Sequence, residues 1–116
     1  MDAERLFADR LNSCGLSGTA YYDVPSERPE SFVVVQRTGG GRGELVIDTP
    51  TLDLQCWAPT RRAAEVLADE VEAVARGMPA HVPNCFSVAV SSRYRDRDLE
   101  TGTPRVHVVV QATLTD

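Results

Sequence analysis

The stretch Arg37-Thr38-Gly39-Gly40-Gly41-Arg42-Gly43 lies between two apolar runs, FVVV and LVI, and has the glycine content of a loop that cradles phosphate. A phosphate loop of the GxxxxGK[ST] type needs a lysine, a hydroxyl and a following helix. All twelve basic residues of this chain are arginine, and the stretch leads into a strand pattern. The dinucleotide fingerprint fails on the same ground, because its pyrophosphate rests on a helix N-terminus. Glycine here serves conformational freedom, so the stretch reads as the tip of a β-hairpin. Two readings of that tip stay open: a plain flexible turn, or a tip spanning Thr38 to Arg42 that docks on a partner through Arg37 and Arg42.

Thiols and imidazoles come next. His81 and Cys85 are four apart, and His107 is the only other histidine. A zinc site would need a further ligand brought to bonding distance, and nothing in the spacing supplies one. Cys14, Cys56 and Cys85 are odd in number, widely spaced and without a CxxC pair, which suits reduced buried thiols better than a disulfide framework. A nucleophile needs a base beside it. Cys14 and Cys56 fall on expected core faces, where thiols are inert, and His107 has no marked partner. No catalytic, cofactor-binding or metal-ligating residue is expected, and the chain does not read as an enzyme.

Charge provides the third group. In SRYRDRDLETGTPR, Arg93, Arg95, Arg97 and Arg105 alternate with Asp96, Asp98 and Glu100. This reads as a loop, either solvated with local ion pairs or a docking loop whose mixed charges set partner and register. Arg61 and Arg62 open a helix, where the dipole disfavours cations. An acidic partner there would offset the cost.

The elements that must position these residues follow from periodicity. Residues 2–14 read as an amphipathic helix, with Ala3, Leu6, Phe7, Leu11 and Cys14 on one side and Gly15 as its stop. Residues 15–31 are loop-like, with TAYYDV a possible extended piece. Phe32 to Arg37 is a strand, and a second runs from Leu45 to Ala58, interrupted near Pro50. In it Leu52, Leu54, Cys56 and Ala58 face one way, and Asp53, Gln55 and Trp57 the other. Thr60 caps a helix with the stripe Ala63, Leu67, Val71, Val74 and Met78, ended by Gly77 and Pro79. Phe86, Val88 and Val90 mark a third strand. Val106, Val108, Val110, Ala112 and Leu114 mark a fourth, alternating with Arg105, His107, Gln111 and Thr113.

The order α-β-β-α-β-β predicts a single α+β domain over residues 1–116, with a mainly antiparallel sheet and two helices on one face. The other sheet face, carrying Trp57, His107 and Val109, is half polar and suited to meeting a neighbour. The net charge of −5 argues against nonspecific nucleic-acid binding. No apolar run reaches the roughly 20 residues of a membrane span. The acidic, amphipathic N-terminus MDAERLFADRL lacks the pattern of a signal peptide, so a cytoplasmic site of synthesis is expected.

Three segments in this order, VPSERPESFVVVQRTGGG, DTPTLDLQCWAPTRRAAEVLADEVEAV and GTPRVHVVVQATL, resemble the tail-terminator (tail-completion, or minor tail) proteins of long-tailed bacteriophages. The resemblance runs from about Val24 to Leu114. It implies a small α+β structural protein that forms a ring, usually a hexamer, on the head-proximal end of the tail tube. There it would stop tube polymerisation and offer a head-joining surface. The implied partners are further copies of the chain, the tail-tube protein and a head–tail connector protein. Genome DNA would pass through the ring without sequence-specific contact, and no membrane or cofactor is involved. The implied location is the virion tail, assembled in the bacterial cytoplasm. The resemblance carries no catalytic residues. Interface candidates are therefore the tip (Arg37, Thr38, Gly39, Gly40, Gly41 and Arg42), Trp57, Arg61 and Arg62, and the loop Arg93 to Arg105 with Arg93, Arg95, Asp96, Arg97, Asp98 and Arg105. A head–tail adaptor or stopper is a second reading, and a small-ligand-binding α+β module a third.

Overall fold

Each helix begins where a short polar side chain can take up its free backbone N–H groups. The computed structural model of the chain describes residues 2–44 and 47–115, without the side chains of residues 42–44. Asp2 accepts from the Arg5 N–H at 3.1 Å and opens helix α1, Ala3–Asn12. Phe7, Ala8 and Leu11 form its buried side. The helix ends two residues sooner than its periodicity predicts, because the chain turns through Gly15 at φ +66°. Cys14 is consequently exposed, contrary to the buried thiol expected. Asn12 then exchanges two hydrogen bonds with the Ala20 backbone, at 2.7 and 3.1 Å, tying α1 to strand β1, Thr19–Tyr21.

Strand β1 runs parallel to strand β2, Phe32–Glu44, with Thr19 beside Phe32. Strand β2 pairs antiparallel with β3, Ile47–Trp57, from Phe32 beside Trp57 to Glu44 beside Ile47. The glycines are thus not the tip of the hairpin. They lie within the ladder, Gly39 opposite Thr51, Gly40 opposite Pro50 and Gly41 opposite Thr49. The register shifts between Arg37 and Gly39, which leaves Thr38 in a β-bulge. Gly40 sits at φ +84°, and a Cβ there would overlap the Thr49 carbonyl and lie 2.8 Å from Pro50 Cα. Glycine is therefore demanded by a close backbone approach rather than by a turn. The ladder from β3 to strand β5, Pro104–Thr115, skips Thr49 and Pro50, since proline has no N–H to donate. Leu45, expected to open the second strand, lies outside the described residues.

Thr60 accepts from the Ala63 N–H at 3.1 Å and starts helix α2, Arg61–His81. This helix passes the expected stop at Gly77 and Pro79. Pro79 sits in the last turn, where it forfeits a single backbone bond, and fully buried Ala75 and Met78 hold that turn on the sheet. The buried side is Ala64, Leu67, Ala68, Val71, Ala75 and Met78, while Ala63 and Val74 lie at its margin.

The sheet order is β1-β2-β3-β5-β4, with β4 spanning Cys85–Arg97, and the fold is α+β with a mostly antiparallel sheet. Both helices cover one face, on Val33, Val35, Leu52, Leu54, Cys56 and the even-numbered residues of β5 from Val106 to Leu114. Strand β4 carries two register shifts, between Cys85 and Ser87 and between Val90 and Ser92. The first leaves Phe86 76% exposed rather than in line with Val88 and Val90. The second reverses the alternation. Val88 and Val90 share the helix face with Ala112 and Val110, and beyond the bulge Arg93, Arg95 and Arg97 fall on that face, beside Val108, Val106 and Pro104. Tyr94 and Asp96 turn to the outer face, beside His107 and Arg105. Most of the expected charged loop is therefore strand, and the connection shortens to residues 98–103.

Candidate protein–protein interface

The outer face of β3, β5 and β4 holds a polar network built around His107, which is only 5% exposed. Register places Gln55 and Tyr94 on either side of His107, and Trp57 and Asp96 on either side of Arg105. His107 Nδ1 meets the Asp53 carboxylate at 2.9 and 3.1 Å, and Nε2 meets Asp96 Oδ1 at 2.9 Å. A ring with a carboxylate at each nitrogen donates from both when it is protonated. Burial alone would lower the His107 pKa, but the bonds to Asp53 and Asp96 outweigh it and raise the pKa above its ordinary value. Burial likewise works to raise the Asp96 pKa, yet hydrogen bonds from Arg105 and His107 bring it below the usual carboxylate range. Arg105 grips Asp96 with two bonds of 2.8 Å, and the Tyr94 ring stacks on His107 at 4.5 Å and 6°.

The network continues into an aromatic cluster. Trp57 stacks on Phe32 at 5.0 Å, and the guanidinium groups of Arg105 and Arg28 lie 4.9 and 5.2 Å from its ring centroid. Its indole N–H donates to Gln55 Oε1 at 3.3 Å. Both ring nitrogens of His107 are thus engaged by carboxylates of the same chain, and no cluster of three potential metal ligands occurs among the described residues.

On the helix side of the same strands lies an open cleft of about 690 Å³, between the start of α2 and the β4–β5 hairpin end. Arg61, Arg95 and Arg97 line it, with Leu99 and Pro104 as its accessible apolar residues and buried Ala64 and Val106 beneath. Arg93, one step along the same strand face, is fully matched by helix α2. It reaches Glu65 and Asp69 at 2.9 Å and Glu72 at 3.2 Å. Burial opposes its charge, but these three carboxylates prevail and raise its pKa above that of a free guanidinium. Arg61 and Arg95, by contrast, meet no carboxylate within 4.0 Å among the described residues. Arg97 donates to the Gly102 carbonyl at 3.0 Å and likewise meets no carboxylate within 4.0 Å among the described residues. Helix α2 has no acidic residue in its first turn, so its dipole adds to the positive field. Leu99 stands 99% exposed at the rim.

The residues singled out by sequence thus divide. Arg61, Arg95 and Arg97 come together at the cleft, with Asp96 and Arg105 on its lining and Arg62 exposed at the adjoining helix start. Arg93 is committed to helix α2 rather than to a docking loop. Asp98 shapes the connection by accepting from the Thr101 N–H and hydroxyl at 3.1 and 2.8 Å. Trp57 is 2% exposed and belongs to the outer-face cluster, not to a free surface. Arg37 is spent inside the chain, bidentate on Asp48 at 2.7 and 2.8 Å. Thr38 in its bulge and Gly39 to Gly41 in the ladder lie far from this end, and the Arg42 side chain lies outside the described residues. Sequence reasoning missed Asp53 as the partner of His107, although both were placed on the same outer face. It also missed Leu99, whose signal was a lone apolar residue inside a charged connection. No protein-family model matches the chain, and no curated protein matches it in sequence.

Proposed function

We propose that this chain is a tail terminator of a long-tailed bacteriophage or prophage, a structural protein whose copies close into a ring on the tail tube. The ring ends tube growth and presents a surface to the head-side connector. Support comes from the three ordered segments that resemble that family and from an α+β domain of the kind the resemblance implies. The observation that carries an assembly role is the cleft at the β4–β5 end. Arg61, Arg95 and Arg97 converge there, none of them within 4.0 Å of a carboxylate among the described residues, beside the fully exposed Leu99. Such a surface is completed by another protein.

The direct test is co-polymerisation with a purified tail-tube protein of a long-tailed phage. The proposal expects tubes that stop at a defined length and carry a ring of this protein at one end. Tubes that elongate unchanged, with no bound protein, would refute it. The cleft volume also falls in the range of small-ligand sites. A small-anion binding module is therefore the competing reading, favoured if a phosphorylated metabolite binds tightly and the tube protein does not.

A further inference from the structure

We infer that the arginine-lined cleft receives the segment Tyr22–Glu30 of a second copy of this chain. The inference deepens the ring reading above and rests on it for its biological setting. Three properties of that segment match the cleft. Asp23, Glu27 and Glu30 are exposed, so their carboxylates are available to guanidinium groups. Tyr22 and Val24, 43% and 40% exposed, flank Asp23 and offer apolar surface to Leu99 and Pro104. Arg28, the one basic residue of the segment, is drawn back over Trp57 and lies 3.8 Å from Asp98, which leaves the outward side acidic. Pro25 and Pro29 restrict the segment, which lowers the entropy cost of docking.

In its own chain the segment lies on the outer face, with Tyr21 packed against Phe32, Val34 and Trp57 and Arg28 held over Trp57 beside Asp98. The cleft opens on the helix side, between α2 and β4, so the segment that enters it is taken to be a neighbouring copy's. Two different patches meeting between copies make a heterologous contact, the kind that propagates around a closed ring. A carboxylate segment with apolar side chains fits the fully exposed Leu99, which a bare phosphate or a nucleic-acid backbone would leave in water. A net charge of −5 further disfavours a long polyanion.

The probe is a synthetic peptide of residues 20–31, titrated into the full chain by fluorescence anisotropy at low salt. Binding is expected to weaken at least about tenfold in Arg95→Glu/Arg97→Glu, and to weaken similarly when Asp23 and Glu27 of the peptide become Asn and Gln. Both arginines are exposed and, among the described residues, meet no carboxylate within 4.0 Å, and circular dichroism is the check that the variant is folded. A second arm mixes Arg95→Glu/Arg97→Glu chains with Asp23→Arg/Glu27→Arg chains. Cross-association of the pair, with neither variant self-associating, supports the inference. Equal peptide binding by wild type and variant overturns it, as does a failure of the swapped chains to associate while wild type does. Peptide binding without tube capping would keep the contact and remove the tail-terminator reading. Tube capping without peptide binding would do the reverse.

Discussion

Replacing His107 by leucine removes both donors of the buried outer-face network while keeping an apolar side chain of similar reach. Its two carboxylate partners are affected unequally. Asp53 has a side chain only 10% exposed, so removing its cation leaves a carboxylate in a poorly hydrated site with Gln55 at 3.2 Å as its remaining side-chain donor. Breaking such a buried pair costs about 3–5 kcal/mol. Asp96 is 38% exposed and keeps Arg105, so its share is that of a surface pair, at most about 1 kcal/mol. Against a total stability of about 5–15 kcal/mol, this is a large fraction. For a domain of this size the melting temperature should fall by on the order of 10–20 °C. The pH profile carries a second signature. Because the folded His107 pKa is raised, its contribution is fully present below the ordinary value of about 6.5 and fades as pH rises through the folded value. Because the Asp96 pKa is lowered, its contribution is present above about 3.9 and lost as pH falls through its folded value. Calorimetry from pH 4 to 9 should therefore show wild-type stability declining on the alkaline side, with that decline absent from His107→Leu. A variant melting within about 3 °C of wild type at pH 6, or an unchanged alkaline slope, would refute the reasoning.

Gly40→Ala should destabilise the β2–β3 arm by at least about 2 kcal/mol, since it adds both a positive-φ penalty and an overlap with the Thr49 carbonyl; urea unfolding reads this directly. Arg93→Met keeps the aliphatic stem but leaves Glu65, Asp69 and Glu72 without their shared cation, and should cost about 1–2 kcal/mol at low salt, less at 1 M salt. Among the three thiols, Cys14 should react with a disulfide reagent under native conditions. Cys56, whose pKa burial pushes well above the ordinary thiol value, should react only after unfolding.

The parts of this molecule that were legible in its sequence are those where a long period met a buried face. Alternation from Leu52 to Ala58 and from Val106 to Leu114 set the two sides of the sheet, and the apolar stripe of α2 located the main helix. Its end was misread because Gly77 and Pro79 weaken a helix locally, while the burial of Ala75 and Met78 that sustains it is a tertiary effect. Gly40 was visible as a special position, but whether it served a turn or a close strand contact depended on the backbone of Thr49 and Pro50. The bulge near Ser91 was invisible. It adds one residue without a compositional mark, and that single step decides that Arg93, Arg95 and Arg97 face the helix side while Asp96 faces outward. The cleft could not be foreseen without it.

The proposed role, a ring of copies that caps a tail tube, is open to electron microscopy of tubes polymerised with and without the purified protein. A ring-shaped cap at one end of each tube is expected, with an arrest of growth that Arg95→Glu/Arg97→Glu weakens. Tubes of unchanged length and bare ends, in the presence of excess folded protein, would rule the role out.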